Sequence, residues 1–375
     1  MNKKIVQAGL YGLLGITQNA WAQSMFQPGD IDRQVEPQRS IQLPQVESNP
    51  GRLSKPSEVA SGTPVTTIQT WRIEGNTVVA TEALLNQLQY FTGATLSMKQ
   101  INEAVALVQQ VYEEKGWLAR IVLPKQDITN GVITIQIIES RLGQIKTDAS
   151  STSLVNLDRV VAVVSAQHTP ADIFNSLHIN RGLLLADDLN GVSVIGSLQS
   201  GAAEGTTDVV LKTTAEQPYI YEASVDNTNA RAVGENRLFV SATMISPNGY
   251  GESFSVQGLK SQGVDYARLA ASTPLGNRGL KGSIFISGMK YKIVTNDEKG
   301  LAQDISGNVQ TAGFDLSYPL LRSRDANLYV LGAAENKKYH GDSLGQASSD
   351  YHINVTSIGL TGNHFDLLGG AGSNS

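Results

Sequence analysis

Gly341-Asp342-Ser343-Leu344-Gly345 has the G-x-S-x-G spacing of a nucleophile elbow. That device presents a serine on a tight strand-to-helix turn, beside a histidine base held by a carboxylate. Tyr339-His340 closes a strand-like run before it, but Gln346-Ala347-Ser348-Ser349-Asp350 offers no apolar helical face after it. A hairpin loop is the competing expectation, because glycine and serine are ordinary turn residues. His168, His178, His340, His352 and His364 lack H-E-x-x-H or another close ligand spacing, which argues against a zinc or iron site. The adjacent acids Glu113-Glu114 and Asp187-Asp188 fall in helical runs or at their ends, where neighbours diverge, and are expected on solvated faces. No Gly-Lys dipeptide occurs and no helix follows Gly369-Gly370-Ala371-Gly372, so no nucleotide and no other cofactor is expected.

Composition narrows the classes further. The 375 residues suffice for two or three domains, and 41% hydrophobic content is enough to build cores. A net charge of -5 gives no basic footprint for nucleic acid. With no cysteine there is no disulfide framework, thiolate metal site or cysteine nucleophile. At the N-terminus, Lys3 and Lys4 precede the apolar run Ile5 to Ile16, and Ala20-Trp21-Ala22 offers small residues for cleavage. This reads as a signal peptide over 1–22, cut between Ala22 and Gln23. Residues 23–66 are rich in proline, glutamine and serine, the composition of an extended linker.

The positioning elements are clearest over 67–148. Thr67 to Ile73 alternates as a strand and stops at Glu74-Gly75-Asn76. A helix is expected from Thr81, with that residue as N-cap, to Tyr90. A second follows Ser97, with Ile101, Ala104, Val105, Val108, Val111 and Tyr112 on one face, and ends at Gly116. Leu118–Leu123 and Val132–Ile138 are β-branched runs on either side of a loop containing Asn130-Gly131.

This strand-helix-helix-strand-strand order resembles the polypeptide-transport-associated (POTRA) domain of two-partner secretion transporters of the hemolysin secretion and activation family. The resemblance rests on Ile73-Glu74-Gly75-Asn76, Tyr112-Glu113-Glu114-Lys115-Gly116, Leu123-Pro124-Lys125-Gln126-Asp127-Ile128, Gly131, and Ile138-Glu139-Ser140-Arg141-Leu142-Gly143, in this order and spacing. In that family a helix near the mature N-terminus can plug the barrel. Asp30 to Arg39 occupies this place, and Pro37 leaves it barely two turns.

Over 149–217, helices are expected at Leu154–Ala166 and Ile179–Leu189, with strands Val192–Gly196 and Thr207–Thr213. Leu189-Asn190-Gly191-Val192 and Gly205-Thr206-Thr207-Asp208 resemble a second, more degenerate POTRA domain. From Tyr219 onward, segments of about ten residues alternate apolar and polar between turn clusters, as transmembrane β-strands do. Tyr219, Tyr221, Ala223 and Val225 share one face, and Glu222, Ser224 and Asp226 share the other, which would line a wet lumen. Ser224-Val225-Asp226-Asn227, Ser317-Tyr318-Pro319-Leu320 and Arg322-Ser323-Arg324 resemble barrel strands of the same transporters.

The expected fold class is therefore α+β periplasmic POTRA domains followed by an antiparallel transmembrane β-barrel. At about 20 residues per strand and turn, 218–375 holds roughly eight strands, half of the resembled sixteen. The terminal Gly369 to Ser375 lacks a final aromatic residue. The chain thus reads as C-terminally truncated and unable to form a working pore alone.

The resemblance implies an outer-membrane transporter whose partners are a secreted exoprotein of hemolysin, adhesin or toxin type, outer-membrane lipid and the barrel assembly machinery. Capture is expected at the sheet edge formed by Leu118, Arg120, Ile121 and Leu123, with Arg120 and Lys125 biasing the choice of partner by charge. Two alternatives stand beside it, a periplasmic binding remnant without a pore and an esterase using Ser343 between Gly341 and Gly345.

Overall fold

The computed structural model describes residues 64–126, 130–168, 172–295 and 304–364. The expected signal peptide with its Ala22/Gln23 cut, the Asp30–Arg39 segment, most of the linker, Asp127-Ile128 and the Gly369–Ser375 terminus lie outside the described residues.

The first unit contains β1 (Pro64–Thr67), β2 (Thr70–Glu74), α1 (Thr81–Leu88), β3 (Thr95–Ser97), α2 (Met98–Glu114), β4 (Ala119–Val122) and β5 (Val132–Glu139). Its main sheet has the order β2-β5-β4, with β2 parallel and β4 antiparallel to β5. Leu84, Leu88, Ile101, Val108 and Tyr112 are fully buried against Ile133 and Ile135 of β5. Burying each aliphatic side chain contributes about 2 kcal/mol. Ser97 caps α2 with a reciprocal box, its hydroxyl accepting from Gln100 N–H while the Gln100 amide oxygen accepts from Ser97 N–H at 2.9 Å.

Three local expectations are corrected here. Pro64–Thr67 is not linker but a strand paired with Thr95–Ser97. The single strand expected from Thr67 is broken at Ile68-Gln69, because Ile68 N–H and C=O bond Ala94 and Gly93 while Gln69 and Thr70 N–H both bond Gly131. Ile68 and Trp71 are thereby both buried, three residues apart, which strand alternation forbids. The cap of α1 is Ala80 without a side-chain bond, and the Thr81 hydroxyl accepts from Asn76 instead.

The second unit repeats this plan. It consists of β6 (Arg141–Thr147), α3 (Leu157–Ser165), α4 (Ser176–Asp187), β7 (Val192–Ser200) and β8 (Thr206–Ala215). Its sheet order is β6-β8-β7, with β6 parallel and β7 antiparallel to β8. Both sheets therefore share one topology. The expected boundary at Asp148 is displaced, since β6 pairs with β8 and the chain crosses between sheets at Ser140. Asn156 and Asn175 cap α3 and α4 through their side-chain oxygens.

Eight antiparallel strands follow as a meander: β9 (Tyr219–Asp226), β10 (Arg237–Ile245), β11 (Ser253–Ser261), β12 (Val264–Leu275), β13 (Leu280–Lys292), β14 (Ile305–Arg322), β15 (Ala326–Ser343) and β16 (Gln346–His364). Among the described residues β9 and β16 are the two edges of this sheet. Alternation assigns its faces. Ile284 and Ile286 are 65% and 57% exposed whereas Phe285 between them is 4% exposed, so the sheet curls around the face that carries Phe285. The outward face presents Tyr219, Tyr221, Val240, Phe254, Leu269 and Phe314, all exposed. The inward face is rich in Ser241, Thr243, Ser255, Ser272, Ser283 and Ser287. An apolar outside and a hydroxyl-lined inside is the pattern of a membrane barrel wall.

Candidate capture edge and barrel mount

Three motifs of the first unit meet at one carboxylate. Glu139, at the end of β5, accepts from Thr77 N–H at 2.7 Å, the Thr77 hydroxyl, Val78 N–H at 3.1 Å and the Tyr112 hydroxyl at 2.8 Å. Burial pushes the Glu139 carboxyl up, but the Thr77, Val78 and Tyr112 hydrogen bonds outweigh it and hold it below its ordinary 4.5. Tyr112 is pushed well above 10.0 by burial, reinforced by the Glu139 hydrogen bond and charge. Gly75 enters the same corner at φ +89, where a Cβ would meet the Ile137 carbonyl oxygen at 2.2 Å. Glycine is required there twice over, for the dihedral and for the space.

This corner braces β5, and β5 presents β4 as an edge strand. The Leu118 carbonyl accepts from Ser140 N–H at 2.9 Å, so ladder alternation turns Arg120 and Val122 backbone groups toward β5 and those of Ala119 and Ile121 to the open side. Arg120 and Lys125 are exposed, and Leu118, Ile121 and Leu123 are half-buried. The Gln126 side chain donates to Thr134 C=O at 2.8 Å and accepts from Thr134 N–H at 2.7 Å, continuing the β5 ladder beyond β4. Leu118 N–H bonds the Phe174 carbonyl, so the second unit covers the start of this edge.

The two units are joined at Ser140, and Asp208 braces β6 against β8 within the second. The Ser140 hydroxyl lies 2.6 Å from that of Thr207. Asp208 accepts from Gln144 N–H at 2.8 Å, in the register shift of β6, and from Lys146 Nζ at 2.9 Å. The Gln144 bond, then Lys146, lower the Asp208 carboxyl below its ordinary 3.8. A Cβ on Gly143 would meet Asp208 Oδ1 at 2.2 Å, so the Gly143 and Asp208 motifs need each other.

The second unit is mounted on three successive turns at one end of the large sheet. Arg159 donates to the carbonyls of Tyr250 at 3.0 Å and Gly276 at 3.3 Å. Arg181 donates to Pro319 C=O at 2.7 Å, and Asn190 to Gly251 C=O at 3.0 Å. Arg322, at the end of β14, gives Asp188 a two-pronged pair, Nε to Oδ2 and Nη2 to Oδ1, each 2.8 Å. Asp187 accepts from Val194 N–H at 2.7 Å. Asp187-Asp188 is therefore partnered rather than merely solvated. Glu113 and Glu114, both exposed, accept from Gln109 and Gln110 one helical turn back.

The esterase reading of Ser343 fails on geometry. Ser343 ends β15, Leu344 and Gly345 form a two-residue turn with φ 52 and 73, and Gln346 begins β16. This is a strand-turn-strand hairpin, whereas the elbow needs a helix after the serine. His168 and His178 lie with ring centroids 6.2 Å apart, but among the described residues no group of three metal-ligating side chains forms.

The profile of the ShlB-type POTRA domain matches residues 66–140, and that of the haemolysin secretion/activation protein ShlB/FhaC/HecB matches residues 205–374. Outer membrane transporter CdiB of Escherichia coli is 23% identical over 336 residues, covering 87% of this chain and 56% of its own length. Heme/hemopexin transporter protein HuxB of Haemophilus influenzae is 22% identical over 256 residues, covering 68% of this chain and 44% of its own. Solved CdiB structures share the fold. That from Escherichia coli has a TM-score of 0.68 at 21% identity, covering 86% of this chain and 60% of the solved one. That from Acinetobacter baumannii has a TM-score of 0.56 at 18% identity, covering 90% and 66%. The chain thus spans about half to two thirds of the length of these relatives. Two profiles of one family, on the POTRA domain and on the strand region, show that the chain belongs to the ShlB/FhaC/HecB haemolysin secretion/activation family of two-partner secretion, with its strands in the outer membrane and its POTRA domain in the periplasm.

Proposed function

We propose that the protein recognises an unfolded partner exoprotein in the periplasm and passes it toward the barrel for secretion, without nucleotide hydrolysis. The observation that carries this reading is the β4 edge. Ala119 and Ile121 turn backbone groups outward, between a half-buried brace at Glu139 and the exposed cations Arg120 and Lys125. An extended segment can add there as a further strand, with main-chain hydrogen bonds giving affinity and side chains giving selectivity. Arg120 and Lys125 favour a segment with acidic residues flanking its apolar ones. The similarity to CdiB and HuxB supports transport over catalysis, and the finer assignment of the cargo as a hemolysin, an adhesin or a toxin is part of the proposal.

The two repeated β-α-α-β-β units and the sheet from Tyr219 are read as two POTRA domains, divided at Ser140, and a barrel wall. In this reading Leu118, Arg120, Ile121, Leu123 and Lys125 form the capture strand. Ile121→Pro deletes an outward N–H and should weaken exoprotein binding at least about tenfold, the loss of one or two backbone bonds. Circular dichroism establishes that the variant is folded. Binding unchanged in the folded variant would remove β4 as the capture strand.

A further inference from the structure

The outward face of the large sheet is polar at one end only. Toward the POTRA side it presents Tyr219, Met244, Phe254, Leu275 and Leu280, with no charge. At the opposite end the apolar band on β11, β12 and β13 stops at the register row Gly258, Ala267 and Gly288, and on β10 it runs one outward step farther, to Leu238. The next outward position holds Lys260, Asp265 and Lys290, side by side on β11, β12 and β13, and Lys292 lies one outward step beyond Lys290. On β15, Lys338 is opposite Gln310 and His352, one outward step nearer the POTRA side. Barrel strands tilt by roughly 35 to 45°, so a line of constant membrane depth crosses the register in this stepped way. Lys260, Lys290, Lys292 and Lys338 are all exposed. Asp265 is the one acid among them and pairs with Lys260. Asp342 and Asp350 lie farther out, with His340 between them at 3.5 and 4.0 Å.

We propose that Lys260, Lys290, Lys292 and Lys338 form a basic girdle that binds the phosphate-bearing headgroups of outer-leaflet glycolipid. The inference rests on the outer-membrane placement of the sheet and on no property of the exoprotein. The POTRA units fix which end faces the periplasm, so the lysines stand at the cell-surface boundary of the apolar band. A lysine stem lies along apolar surface while its ammonium reaches the headgroup layer. Clustered ammonium groups at an anionic lipid boundary add their attractions, each subject to salt screening. An ordinary solvated face would not confine the outward cations of its strands to one membrane level; at the other boundary the exposed Arg278, Arg324 and Asp325 stand in the turns, off the strand faces.

The test uses the full chain, purified in detergent doped with lipid A carrying its phosphates or with the same lipid dephosphorylated, and counts retained lipid by native mass spectrometry. The phosphorylated lipid should be retained at least about tenfold better than the dephosphorylated one. The Lys260→Gln/Lys290→Gln/Lys338→Gln variant should fall to the dephosphorylated level, while Lys212→Gln on the POTRA surface leaves retention unchanged. Equal retention of both lipids by the unaltered chain overturns the proposal, and that comparison needs no variant to fold. So does a folded triple variant that keeps the phosphorylated lipid. Because no exoprotein enters the measurement, its outcome and that of the capture experiment are independent.

Discussion

Arg322 and Asp188 face each other across the joint between the large sheet and the second β-α-α-β-β unit, in a two-pronged pair with both N···O distances 2.8 Å. The Arg322 side chain is 5% exposed and also donates to Asn327 Oδ1 at 3.2 Å, while Asp188 is 36% exposed. A buried guanidinium stripped of its carboxylate is costly, more so than the intact pair is stabilising. Asp188→Ala should therefore destabilise the joint by about 2 kcal/mol or more. The expected readout is faster amide exchange in the 322–326 turn and at the end of α4, with the first POTRA unit unaffected. Unchanged exchange at the joint would show that Arg159 and Arg181 hold the mount without the pair.

The Glu139 corner makes a prediction about pH. Its folded carboxyl is depressed below 4.5, so its contribution to stability is fully present above the unfolded value and is lost as pH falls through the folded one. Asp208 acts with the same sign. Tyr112→Phe removes one donor and should cost about 1 kcal/mol at neutral pH. The variant should lose less on acidification below pH 4.5 than the unaltered chain, because the carboxyl it leaves is less depressed. Thermal unfolding of both proteins between neutral pH and pH 3 checks this, and parallel pH curves would contradict it.

The two faces of the barrel wall should differ sharply in what they tolerate. Ile284 and Ser283 are neighbours on β13, one outward and exposed, the other inward. Ile284→Arg should cost about 2 to 4 kcal/mol if the residue meets lipid near the bilayer midplane. Ser283→Arg, on the wet face, should be tolerated. Folding yields and urea titrations in lipid vesicles measure both, and equal penalties would deny the assignment of faces.

Much of this was legible because periodicity is local. The strand expected at Val132–Ile138 is β5 to within one residue, since its β-branched run begins directly after the turn residues Asn130-Gly131. Ser97 and Gln100 are three apart and declare their capping box in sequence. What escaped was non-local or set by tertiary contact. The parallel pairing of Arg141–Thr147 with Thr206–Leu211 joins segments some 65 residues apart, so the end of the first unit could not be placed from local pattern. Ile68-Gln69 leaves the strand because Gly131 and Ala94 offer better partners for its backbone. Arg159, Arg181 and Asn190 dock on backbone carbonyls, which carry no sequence signature at all. The motif residues Gly75, Tyr112 and Glu139 were visible as a pattern, but their convergence on one carboxylate appears only in three dimensions.

The central claim is that an exported polypeptide pairs along β4, and in-cell photocrosslinking tests it most directly. A photoreactive residue at Ile121 on the capture edge is compared with one at Gln110 on the exposed side of α2, in a host secreting the partner exoprotein. The account predicts a crosslink to the exoprotein from position 121, reduced when Arg120 and Lys125 are both replaced by Glu, and none from position 110. A crosslink to the exoprotein from 110 as strong as from 121, or none from 121 while export proceeds, would contradict it.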